Sequence, residues 1–161
     1  MTSTLFQRLY LPGIAVAVFL LLLPSEASAS YALEEWNMDT RQNLPLVLKI
    51  WLGAMLVANL SSVFFVKNHI AARWVLSAWL VSHAWIAFLE GTGAYTVQGG
   101  LVSLGHIIVW SPAIYALYRY RADFSWPSPY GGWVCAMLVF YGVSLIFDFR
   151  DAAIWISAQL G

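Results

Sequence analysis

The chain has 161 residues, of which 61% are hydrophobic, 16% aromatic and 10% charged, and its 8 basic and 8 acidic side chains leave no net charge. Soluble domains carry about 25% charged residues, so these are too few to cover a water-facing surface, and lipid is the outer solvent. A neutral chain also lacks the concentrated basic face that nucleic-acid binding needs. The single cysteine, Cys135, excludes an intrachain disulfide, a CxxC pair and a thiolate zinc site.

Residues 1–29 read two ways. Arg8 supplies a positive start, residues 11–23 a short apolar run and Pro24 a breaker, and Ala27, Ser28 and Ala29 put small residues where a signal peptidase reads them. A run of about 13 apolar residues falls short of the roughly 20 needed to span. The pattern favours cleavage after Ala29, leaving residues 30–161 as one domain. The rival is an uncleaved signal-anchor helix, a fifth helix starting near Leu5 or Leu9.

Residues 30–43 hold Glu34, Glu35, Trp36, Asp39 and Arg41 and read as a solvated connector along the membrane surface. Trp36 suits the headgroup level. The first span covers residues 44–66. Pro45 fits its first turn, Lys49 can snorkel along its apolar stem, and Asn59, Ser61 and Ser62 face other helices. Lys67, Asn68, His69 and Arg73 form the turn that follows.

The second span, residues 70–89, carries Leu76, Trp79, His83, Ala87 and Glu90 at helical spacing. A glycine-rich loop without lysine or arginine leads to the third span, residues 100–118. Its stripe of Gly99, Ser103, His106, Trp110 and Ala113 mixes small and polar residues, which lets membrane helices approach closely. Pro112 should bend this helix and free a carbonyl near Ile108. A breaker run, Ser125-Trp126-Pro127-Ser128-Pro129, precedes the fourth span, residues 131–147, where Met137, Tyr141, Ser144 and Asp148 share a face. Residues 148–161 either extend that helix or lie on the membrane surface.

The expected fold is therefore all-α: a polytopic transmembrane bundle of four core helices behind the signal or anchor segment. Lys67 and Arg73 mark one loop, Arg119 and Arg121 another, and the loop between the second and third spans has no positive charge. By the positive-inside rule that loop and the C-terminus are periplasmic, in a multi-pass protein of a bacterial inner membrane.

Two histidines carry the sharpest signal, because an ionisable group inside a membrane helix is costly to keep. His83 and His106 lie at equal distance from the loop joining their helices, so they should face each other in the outer half of the bundle, near Glu90. Lys49, Tyr141, Ser144 and Asp148 join them in a polar cluster open to one side. Continuous transport would want polar groups at every depth, which disfavours a channel or pump.

Such a pair could ligate a b-type haem. Neighbouring helix axes only about 8–10 Å apart leave little room for a macrocycle. A metal ion held by His83, His106 and Glu90 fits the spacing better, and a quinone pocket walled by Trp79, Trp85, Trp110 and Tyr141 ranks beside it. Against these stands ordinary packing, with hydrogen-bonded histidines and surface ion pairs. No nucleophile–base pair, phosphate loop or paired catalytic carboxylates can be placed, and Ser82 and His83 are adjacent positions that do not face each other. The reading is a non-enzymatic accessory, anchoring or assembly subunit that packs against a membrane-protein partner or another copy of itself. The alternative is a redox or metal-binding membrane protein using His83 and His106.

Overall fold

The computed structural model describes residues 31–92, 96–123 and 127–161. The proposed signal or anchor segment at residues 1–29 lies outside the described residues. Helices form the fold: α1 (Met38–Gln42), α2 (Leu46–Ser61), α3 (Ile70–Thr92), α4 (Gly99–Arg119) and α5 (Pro129–Leu160), with 3-10 turns at Ser62–Phe64 and Arg121–Asp123. The last four helices, α2 taken with its 3-10 turn, are each long and apolar enough to cross a membrane, so the chain is built as a multi-pass membrane protein.

Local chemistry sets the helix starts. The Asn37 side chain accepts from the Thr40 N–H to cap α1. Ser128 does the same for Gly131 at the head of α5, with Pro129 in the first turn, where its missing N–H leaves nothing unpaired. Pro112 stands within α4 without ending it. The Ser111 hydroxyl donates to the Ile107 carbonyl at 2.6 Å beside the missing bond.

Of the two readings for residues 148–161, the structure has the first: α5 continues through residues 148–160 as one helix. Its 32 residues make about 48 Å at 1.5 Å per residue, against a hydrocarbon core of about 30 Å. Asp148 is therefore well inside a helix rather than at its end.

The core is an α4–α5 pair with α3 against α4, while α2 attaches more sparsely to α5 and α3. Ala71, Ala72, Val75 and Ala78 of α3 meet Trp110, Ala113 and Leu117 of α4, and Tyr130, Trp133, Val134, Met137, Tyr141 and Leu145 of α5. In lipid this packing is held by dispersion and interhelical hydrogen bonds, since lipid tails are as apolar as the core. Gly100 shows how close α4 and α5 come: a Cβ there would lie 2.2 Å from the Trp155 Cβ and 2.7 Å from the Asp151 carbonyl oxygen.

Residues 31–43 are tied to the same end of the bundle as residues 96–99. The Trp36 N–H donates to the Val97 carbonyl at 2.6 Å and the Gly99 N–H to the Glu34 carbonyl at 3.1 Å. Gln98 links three pieces, donating to the Leu33 carbonyl at 2.9 Å and accepting from the Trp155 indole at 2.7 Å. The connector read from the sequence as solvated is thus partly built into the fold.

Candidate functional site

His106 and Asp148 meet between α4 and α5. The imidazole Nδ1 lies 3.3 Å from Asp148 Oδ1, with 21% and 12% of the two side chains exposed. A carboxylate oxygen accepts, so Nδ1 carries a proton, and in the neutral ring Nε2 then holds the lone pair. Such a ring can take a proton, accept a hydrogen bond or ligate an ion through Nε2, while the carboxylate fixes its orientation. Asp148 Oδ2 is buried and has no hydrogen-bond partner among the described residues.

From His106 an aromatic stack runs into the core. The Trp110 indole stacks on the imidazole with ring centres 4.1 Å apart, and the Tyr141 ring stacks on Trp110 at 4.6 Å. Tyr141 is fully buried, and its hydroxyl donates to Asn59 Oδ1 at 2.7 Å, with the Val75 carbonyl 3.4 Å away. The Asn59 amide in turn donates to the Met55 carbonyl at 2.9 Å. Stacks and hydrogen bonds thus connect Asp148, His106, Trp110, Tyr141 and Asn59 across α5, α4 and α2. Stacked aromatic pairs add about 0.5–1.5 kcal/mol beyond the surface they bury, so the column also holds the helices in register.

The other expected members of the cluster go elsewhere. His83 is exposed, and its Nδ1 bonds the Trp79 carbonyl of its own helix at 2.9 Å. Its expected inward turn toward His106 is not found. The buried face of α3 is Ala71, Val75, Ala78, Ser82 and Leu89, about one residue around the helix from the Trp79–His83 stripe. The two histidines are linked only indirectly: Trp110 donates to Ser82 Oγ at 3.4 Å, and Ser82 donates at 2.9 Å to the Trp79 carbonyl that His83 also bonds.

Glu90 pairs with Arg41. Lys49 donates to the Gln42 carbonyl at 2.6 Å, and Ser144 faces α2, accepting from Trp51 at 3.4 Å. His83, His106 and Glu90 are therefore not gathered, and no three His, Cys, Asp or Glu side chains are grouped to hold a metal ion among the described residues.

An open recess of about 530 Å³ lies at the 96–99 end, lined by residues that include Glu35, Trp36, Arg41 and Glu90. Arg41 and Glu90 pair with each other there, and Glu35 adds a second carboxylate to the lining. The sequence places Asn59, Trp110 and Tyr141 on interior faces and offers Trp110 and Tyr141 as walls of a quinone pocket, but it does not join them to Asp148 in one column, and it gives no interhelical role to Ser82 or Arg41. The spacing of Ala71, Ala78 and Ser82, small residues seven and then four positions apart, is the signal that finds the true packing face of α3. Arg41 has no such signal, because its partner is 49 positions away. No family model, curated protein or solved structure matches this chain.

Proposed function

We propose that this membrane protein is a non-enzymatic accessory, anchoring or assembly subunit, with the α3 face around His83 as its contact with other protein. The observation that carries the reading is the exposed His83 itself. It lies about 20 Å along α3 from Ile70 and about 14 Å from Thr92, at 1.5 Å per residue. An imidazole does not span either distance to reach water. A polar group left unsatisfied in hydrocarbon costs several kcal/mol, and a protein surface over this face removes that cost.

The assignment is to a bacterial inner membrane, with residues 1–29 removed as a signal and the 96–99 end and the C-terminus periplasmic. What supports it is the distribution of lysine and arginine and the Ala27-Ser28-Ala29 pattern.

The test is the size of the assembly extracted from native membranes in a mild detergent. The chain should migrate as more than a monomer, and His83→Leu should shift it toward the monomer. Lipid alone on this face predicts a monomer and an indifferent His83→Leu, and that result overturns the reading.

A second reading is favoured by one observation, the carboxylate that orients His106. Histidines that bind metal or haem iron characteristically hand their other ring N–H to such a partner. In this reading His106 Nε2 is the ligand atom. The absorption spectrum and metal content of detergent-purified protein test it. A colourless, metal-free protein from native membranes ends it.

A further inference from the structure

We infer that the occupant of the Trp79–His83 face of α3 is a second copy of this chain, packed about a two-fold axis along the membrane normal. This rests on the reading above, that protein covers this face.

The argument begins with tautomers. The Trp79 carbonyl can only accept, so His83 Nδ1, 2.9 Å away, carries the proton. Nε2 is then a bare acceptor, and it has no partner among the described residues. One turn away, with ring centres 4.7 Å apart, stands the Trp79 indole, whose N–H also has no acceptor among the described residues. The same patch of helix therefore presents one unused donor and one unused acceptor. Lipid tails supply neither.

A donor and an acceptor side by side on one face are self-complementary. In a two-fold contact, residue i meets j while j meets i, so one geometry makes both bonds: Trp79 of each copy donates to His83 of the other. An unrelated partner would have to bring its own matched pair at the right spacing. Charge does not oppose the contact. Glu90, the one acidic residue of α3, is neutralised by Arg41 of its own chain. Arg73, at the other end of the helix, is turned back onto the Val66 and Lys67 carbonyls. Ala84 and Ala87 are exposed beside His83 and leave room for the helices to approach.

The test uses energy transfer between donor- and acceptor-labelled full-length chains in lipid bilayers. Trp79→Phe and His83→Leu each remove both symmetry-related bonds and should each weaken the dimer roughly five- to tenfold, at the typical strength of hydrogen bonds between membrane helices. The double variant should be no weaker than either single one. Mixing the two variants is the decisive arm. A Trp79→Phe chain keeps the acceptor and a His83→Leu chain keeps the donor, so the mixed dimer regains one bond and should form in preference to either homodimer. Wild-type chains that stay monomeric, or mixed pairs no stronger than the homodimers, overturn the proposal.

Cross-linking in native membranes separates this failure from that of the parent reading. With Cys135→Ser in place, Ala87→Cys should form a disulfide adduct of two copies of this chain. An adduct only with a different membrane protein overturns self-association and leaves the accessory role standing. No adduct between copies overturns self-association, and the accessory role then stands or falls on the size of the assembly extracted in mild detergent.

Discussion

Replacing Tyr141 with Phe removes a single oxygen from a residue that is fully buried. That oxygen holds the 2.7 Å bond to Asn59, whose side chain is buried against it with 0% of the residue exposed. Two magnitudes bound the cost. Interhelical hydrogen bonds in membrane bundles average about 0.6 kcal/mol and reach about 1.7, whereas an orphaned buried acceptor costs about 1–3 kcal/mol. With both partners buried and the bond short, Tyr141→Phe should destabilise the bundle by about 1–2 kcal/mol. Asn59→Leu should cost a similar amount, since the hydroxyl then keeps only the Val75 carbonyl at 3.4 Å. The double variant leaves neither group orphaned, so its cost should fall short of the sum by about 1 kcal/mol or more. Equilibrium unfolding in mixed micelles, titrated with a denaturing detergent, measures all three. If the single costs simply add, the pair contributes no coupling, and the argument that it locks α2 to α5 fails.

Gly100→Ala should destabilise the same bundle by about 1–3 kcal/mol through overpacking, because its Cβ would meet Trp155 at 2.2 Å. Gly53→Ala meets nothing within 4 Å and should be neutral or stabilise by up to about 1 kcal/mol; the same unfolding assay ranks the two. Glu90→Gln breaks an ion pair whose side chains are 34% and 42% exposed, so its effect should stay below about 1 kcal/mol. Nitrogen chemical shifts of labelled protein should show His106 protonated at Nδ1, and Asp148→Leu should redistribute that proton between the two nitrogens; an unchanged tautomer would mean that Asp148 does not orient the ring. Reporter fusions at Gly93 and after Gly161 should both read as periplasmic, and a cytoplasmic signal at either would reverse the orientation drawn from the basic residues.

The sequence by itself determined the spans. Run length, hydropathy and breakers are local properties, and four apolar stretches separated by Lys67–Arg73, by a glycine-rich loop and by Pro127 and Pro129 required no knowledge of neighbours. It also determined that His106, Trp110 and Ala113 share a helix face, and that Met137, Tyr141 and Asp148 share another, because spacing alone fixes such faces. Only the tertiary structure decided which faces turn inward. In water the inward face of a helix is its apolar one, but in lipid both faces are apolar and periodicity carries no such contrast. On α3 spacing therefore points to the polar stripe of Trp79 and His83 as the inward face, whereas the core holds Ala71, Val75, Ala78 and Ser82, whose small side chains admit the neighbouring helices. The same reason separates the two histidines. Counting residues predicts an equal depth for them, but the direction of each ring follows from packing. That packing gave His106 to Asp148, 42 positions away, and left His83 on the outer surface.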